Sequence, residues 1–414
     1  LKKRVEKMNV KIFKNSFLLD CTGSEPLENG WVCTEDDAIK ELGAGKAPSP
    51  QNAETFDCRG MTLMPGLIDA HIHASLFDND LGSIFRLHYP AMHYVNAMQI
   101  LKDTLDQGFT TVRDAGGIDA GFRVAVERGL IIGPSVTVCG KSLSMTGGHA
   151  DPRYSTEQSA PALSPFSASV ADGVPDVQKA AREQLRQGVD YLKIMACGGC
   201  ASQADEPDTV QYTPAEIEAV VYEASAVGKK TLAHCYSNNS MRLCANSGVY
   251  SIEHGNYLDS ATARLLKVKG CWLVPTLTTY FFMSENGERL GIPSYFLRKM
   301  KQVREHALEA VHNAMEAGVD IGSGSDVVGD GQPFKNMEIE LKARVMGPMK
   351  AIMSATKENA RLLFQHDRIG TLEAGKQADM ILVDGNPLVH PAAFSDRNNI
   401  KIILRRGKVY KNIL

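Results

Sequence analysis

The sequence predicts an α/β fold, a (β/α)8 TIM barrel joined to a small β-sandwich domain assembled from both chain ends. Three observations predict it. From about residue 60 to 330, short β-branched runs alternate with longer amphipathic segments, the pattern of successive βαβ units on a parallel sheet. Eight candidate strands fall in that stretch, which is close to the ~250 residues such a barrel takes. Strand-like sequence also lies beyond it at both ends, and chain termini commonly sit together at a domain surface. The expected division is therefore a composite β domain from residues 1–62 and 368–414, and a barrel from 63–367.

The candidate strands span 63–70, 110–114, 135–139, 191–196, 231–234, 250–253, 272–275 and 319–323. Helix-like stretches at 96–107, 177–187, 214–227 and 299–317 lie between them, several followed by a glycine that can stop a helix. A doubly wound open sheet is the rival fold. Its nucleotide-binding forms gain no support, because the first βα turn lacks G-x-G-x-x-G and no G-x-x-x-x-G-K-[ST] occurs. The segment 145–175 is rich in Ser, Pro, Ala and Gly and reads as a functional loop over the strand-three end. Outside the barrel, 9–60, 378–383 and 400–409 read as the short strands of the small domain.

Composition narrows the class. The 414 residues are 43% hydrophobic and 22% charged, with 45 Lys+Arg against 48 Asp+Glu and a net charge of −3. That balance excludes a disordered chain, a collagen and a polybasic nucleic-acid surface. No apolar run approaches the ~20 residues of a membrane span, so no membrane partner is expected. The opening Leu-Lys-Lys-Arg-Val-Glu-Lys is basic, yet no apolar stretch or cleavage site of a signal peptide follows it. Nine scattered cysteines, an odd number, suggest reduced thiols and a cytoplasmic setting. Cys197 and Cys200 have C-x-x-C spacing, but no second pair follows at finger spacing, and the intervening Gly-Gly turn explains the pair as well.

The chemistry starts at Met-Pro-Gly-Leu-Ile-Asp-Ala-His71-Ile-His73, where two imidazoles two residues apart at a strand end project to one side and can bind one metal. An H-x-H pair alone is common. Lys193, His234, His254 and Asp326 also lie at or just past strand ends, and in a barrel those ends face one mouth. Four imidazoles and a carboxylate meeting there suit zinc or a similar divalent ion. Histidines 88, 93, 306, 312, 366 and 390 lie away from strand ends and are assigned no chemistry, and Met92, Met98, Met337, Met346 and Met349 are taken as helix packing.

On these motifs the chain resembles the two-metal branch of the amidohydrolase superfamily over nearly its whole length. The match consists of Pro-Gly-Leu-Ile-Asp-x-His-x-His, Lys193 in Tyr-Leu-Lys-Ile, His234 in Leu-Ala-His-Cys-Tyr, His254 in Ser-Ile-Glu-His-Gly and Asp326 in Gly-Ser-Gly-Ser-Asp. The resemblance implies two divalent metal ions, expected as zinc. His71, His73 and Asp326 would hold the more buried one, and His234 and His254 the second. Lys193 would bridge them as a carbamate derived from carbon dioxide, since an ammonium repels a cation whereas a carbamate offers each one an anionic oxygen. Hydrolysis of an amide follows, with Asp326 as proton shuttle.

Tyr236, two residues past His234, leans to the same side and could hydrogen-bond a developing oxyanion, or simply pack at the rim. His234-Cys235-Tyr236 resembles the His-x-Tyr of dipeptidase members. His149 in Thr-Gly-Gly-His-Ala-Asp resembles the strand-three loop of the prolidase and Xaa-Arg/Lys carboxypeptidase group, which is related to imidazolonepropionase; the resemblance puts it near the substrate carbonyl or carboxylate. Arg153 in that loop could pair with a substrate carboxylate, or be an ordinary surface arginine. The expected activity is that of an Xaa-Pro dipeptidase acting on small peptides, with a homo-oligomer implied by resemblance. The alternative is a carboxypeptidase releasing Arg or Lys, which needs an acid such as Asp330 or Glu206 in the pocket. A cyclic-amide hydrolase or a non-catalytic scaffold is less well supported, because every ligand is present.

Overall fold

The computed structural model describes residues 9–159 and 168–414. The opening basic run and the middle of the 145–175 loop lie outside the described residues.

In chain order the strands are β1 (Val10–Leu18), β2 (Leu27–Glu35), β3 (Ala38–Ala44), β4 (Glu54–Asp57), β5 (Met61–Pro65) and β6 (Leu67–Ile72). They continue with β7 (Phe109–Asp114), β8 (Ser135–Val138), β9 (Leu143–Ser144), β10 (Ser169–Val170), β11 (Tyr191–Met195) and β12 (Lys230–Cys235). Then come β13 (Ser251–His254), β14 (Trp272–Val274), β15 (Met380–Asp384), β16 (Ile400–Arg405) and β17 (Lys408–Asn412).

Strands from both chain ends form one mixed sheet, in the order β17-β16-β15-β5-β1-β2-β3 with β4 also on β1. β5 joins the two ends, running parallel to β1 on one side and antiparallel to β15 on the other. One core unites them: Phe13, Val32, Leu63, Met380, Leu382 and Leu404 are all buried in a single cluster.

The expected strand 63–70 is in fact two strands in two sheets. Pro65 has no N–H to continue a ladder, and at Gly66 the chain crosses from the terminal sheet to the parallel strands. A Cβ at Gly66 would sit 2.2 Å from Thr110 Oγ1, so only glycine lets β6 lie this close to β7.

The parallel strands are hydrogen-bonded as two ladders, β6-β7-β8 and β10-β9-β11-β12-β13-β14. A few backbone bonds span the seams. Asp190 N–H donates to Val138 O at 2.8 Å, and Ala70 N–H donates to Ser323 O at 2.8 Å. The expected strand 319–323 contributes one bridge, Leu273 to Ile321, rather than a ladder. Buried apolar residues of the strands pack beneath helices that cover the expected ones. These are Pro90–Asp106, Gly173–Arg186, Pro214–Ala226 and Ser294–Glu316. The first starts six residues earlier than periodicity indicated, since Pro90 fits the first helical turn.

All nine cysteines are buried and free, Cys197 and Cys200 included. Among the described residues no helix is long and apolar enough to cross a membrane.

Candidate metal centre

His71 and His73 lie at the end of β6, and the strand's alternation sends both rings the same way, their centroids 5.2 Å apart. His71 is anchored from behind. Its Nδ1 lies 2.7 Å from Glu253 Oε2, and Arg113 Nη2 donates to both Glu253 oxygens at 2.9 and 3.0 Å. Ser251 Oγ adds a 2.6 Å bond to the same carboxylate, and Arg113 Nε donates to Ala70 O at 2.6 Å. His71, Arg113 and Glu253 are all 0% exposed, so the charges of Arg113 and Glu253 depend on each other for compensation.

The other imidazoles are held in the same fashion. His73 Nδ1 is 2.6 Å from Gly116 O, His234 Nε2 is 3.2 Å from Gly198 O, and His254 Nδ1 is 2.7 Å from Thr276 Oγ1. Each ring thus has one nitrogen held by a protein oxygen, the arrangement by which outer groups fix an imidazole's tautomer. His71 Nε2 is buried with no hydrogen-bond partner, an orphan that a cation would satisfy.

Asp326 completes the group. One oxygen is 3.3 Å from His73 Nε2 and 3.6 Å from His71 Nε2. Ligand atoms of His71, His73 and Asp326 all fall within 4.8 Å of one another. His254 packs against His71 at 5.0 Å between centroids and against His234 at 4.5 Å. His254 and Asp326 both sit at positive φ, 74° and 52°, a conformation costly for residues with a side chain and concentrated at functional sites. Asp69 holds the second of these in place. Its carboxylate accepts from the backbone N–H of His71 and Ser325, both at 3.0 Å, and from Ser325 Oγ at 2.6 Å, tying β6 to the segment that carries Asp326.

Burial pushes the pKa of His71, His234 and His254 down, His254 to about 3, so these rings are neutral and carry a free lone pair. For Asp326 burial acts upward, but the neighbouring imidazoles outweigh it and hold the carboxyl well below the usual carboxylate range. Burial also lowers the Lys193 ammonium from its ordinary value.

All nine residues predicted from sequence line one cavity of about 650 Å3. His149 reaches it from the loop after β9, stacked 4.2 Å from the His234 ring, with Nδ1 2.9 Å from Ser202 Oγ. Gly199 must lack a Cβ here, since one would lie 2.1 Å from the His149 ring. Tyr236 stands edge-on to His234, and its hydroxyl accepts from Tyr280 Oη at 3.0 Å. Arg153 is already engaged by Asp151, whose two oxygens accept from its Nε at 2.9 and 3.2 Å.

Neither acid considered for a basic-residue pocket lines the cavity. Glu206 is paired with Arg298, and Asp330 accepts from Asn79 at the surface. Sequence reading missed Arg113, Glu253, Thr276, Tyr280 and Asp69. The available signal was a charged residue inside a short strand-forming run, as in Thr-Thr-Val-Arg113 and Ser-Ile-Glu253, which requires a partner if the strand is buried.

Comparison with known proteins agrees with this geometry. The amidohydrolase family profile matches residues 62–410. Ochratoxinase of Aspergillus niger is 31% identical over 407 residues, covering 94% of this chain and 84% of that protein. A prolidase solved in complex with N-methylphosphonate-L-proline superposes with a TM-score of 0.94 at 34% identity, covering 98% of this chain and 100% of the other. A Xaa-Pro dipeptidase with bound methionine in its active site gives 0.89 at 28%, again over 98% and 100%. Together with the histidines and Asp326 gathered at the strand ends, the match over residues 62–410 makes this chain a member of the amidohydrolase family.

Proposed function

We propose that the protein is a binuclear zinc-dependent peptidase of the cytoplasm that hydrolyses Xaa-Pro dipeptides, working as a homo-oligomer on a barrel closed at its two seams. The observation that carries the hydrolase reading is that ligand atoms of His71, His73 and Asp326 lie within 4.8 Å of one another at the cavity, with the His254 and His234 rings packed in series beside them. In this reading His71, His73 and Asp326 would hold one ion and His234 and His254 the other, with Lys193, as a carbamate, supplying anionic oxygens to the same set. Burial favours the neutral amine of Lys193, the form that attacks carbon dioxide. Bound divalent ions lower the pKa of water toward ~7 and polarise a carbonyl.

The chain's own side chains do the rest. Asp326, ionised, takes the proton of the attacking water and returns it to the leaving nitrogen. Tyr236 donates a hydrogen bond to the oxygen on which charge develops. His149 and Arg153 orient the substrate from the loop above. The Xaa-Pro preference is supported by likeness to the prolidase and the Xaa-Pro dipeptidase. Release of Arg or Lys has less support, because the acids at the cavity wall are already occupied: Asp151 by Arg153, Glu157 by Arg86 and Asp326 by the histidines.

A second reading has its own observation. The volume of about 650 Å3 and an apolar wall of Leu81, Phe85, Phe296 and Met300 accommodate larger amides, in line with the likeness to ochratoxinase. A zinc-supplemented screen of Xaa-Pro, Xaa-Arg and Xaa-Lys dipeptides alongside ochratoxin decides. Preferential Xaa-Pro cleavage is expected, and turnover of ochratoxin alone would replace the first reading by the second. His149→Ala is expected to lower kcat/KM on the preferred substrate by about tenfold with zinc content unchanged. Loss of zinc from that variant would make His149 a ligand.

A further inference from the structure

A line of buried hydroxyls runs from His254 to the cavity. His254 Nδ1 lies 2.7 Å from Thr276 Oγ1, Thr276 Oγ1 donates to Tyr280 Oη at 3.2 Å, and Tyr280 Oη donates to Tyr236 Oη at 3.0 Å. Thr276 and Tyr280 are both 0% exposed, and Tyr280 does not line the cavity. Thr276 immediately precedes the Leu277–Asn286 helix and Tyr280 lies four residues on, so one helical turn sets the two hydroxyls side by side.

Proton counting fixes the direction of this line. A histidine that keeps Nε2 as a lone pair carries its one ring proton on Nδ1, so His254 is the donor to Thr276. Each hydroxyl has a single proton to give. That of Thr276 goes to Tyr280 and that of Tyr280 goes to Tyr236, so the Tyr236 proton is spent on neither and stays available on the cavity side, where the Cys200 thiol also lies against it. Successive donors in a dry interior polarise one another, which strengthens the last donor in the line.

We propose that Thr276 and Tyr280 are positioning residues that aim the Tyr236 O–H into the cavity as a donor and tie that aim to the tautomer of His254. The inference rests on the proposed hydrolase reading, in which Tyr236 serves a developing oxyanion. Tyr280 touches no substrate in this account. Its hydroxyl matters only through Tyr236, and the ring alone would suffice if Tyr280 merely filled space.

Two sets of variants test it in the full-length zinc enzyme. Tyr280→Phe keeps the ring and removes the proton. It should lower kcat about 5- to 20-fold with KM within about twofold and zinc content unchanged, and cost nothing further in a Tyr236→Phe background. Thr276→Val should weaken zinc binding about tenfold, measured by chelator competition on the apo-protein, while Thr276→Ser restores wild-type zinc affinity and kcat. Equal losses from Tyr280→Phe with and without Tyr236→Phe would overturn the inference, as would equal zinc affinity in Thr276→Val and Thr276→Ser. Should the wild-type protein cleave no amide, the functional reading falls, and the Val-against-Ser zinc comparison still supports or overturns the link to His254.

Discussion

Asp326→Asn is expected to lower kcat by about 10² to 10⁴-fold on any amide the enzyme cleaves, with zinc still present in part. The substitution keeps the shape of the side chain and one oxygen for coordination, but an amide cannot take up and return a proton. The geometry makes this loss severe. Asp326 sits 3.3 and 3.6 Å from two imidazole nitrogens that favour its ionised form, and it lines the cavity. Among the described residues lining the cavity, the other acids are tied to arginines and cannot substitute. Steady-state kinetics with metal analysis of the same sample checks the prediction, and turnover near wild type would remove Asp326 from the proton path.

Glu253→Gln has the second large effect, and it acts on stability and metal binding together. Among the described residues Glu253 is the carboxylate that pairs with Arg113, which is itself 0% exposed. Removing its charge strands a buried guanidinium, at a cost of about 3–5 kcal/mol. For a chain this long, that corresponds to a drop in thermal midpoint of roughly 5 °C. The same carboxylate faces His71 Nδ1 at 2.7 Å, so zinc affinity is expected to fall about 10- to 100-fold. Calorimetry of the apo-protein and chelator competition report the two effects separately. An unchanged midpoint would show that water or another group compensates Arg113, and unchanged affinity would show that Glu253 does not orient His71.

The residues that meet at the cavity were legible in the sequence because strand geometry governs their placement. His71 and His73 share a face by simple alternation, and Lys193, His234, His254 and Asp326 lie at or just past the ends of candidate strands. What surrounds them was not legible, since it depends on which strands become neighbours across the interior. Arg113, Glu253 and His71 come from three strands far apart in sequence, and no local pattern links them. Arg153 reads from sequence as free to grip a carboxylate, whereas Asp151, two residues away, already holds it. The split at Gly66 was hidden inside a continuous apolar run, where period alone does not show that the chain changes sheets.

The place of β5 between β1 and β15 bears on how the polypeptide is made. As it leaves the ribosome, the leading segment emerges with the edge meant for β15 bare, and its partner is translated only after nearly all the intervening catalytic body. Open edges of that kind recruit stray strands. The enzyme therefore passes through synthesis with a sticky flank, which a shortened product ending before Met380 could never cover.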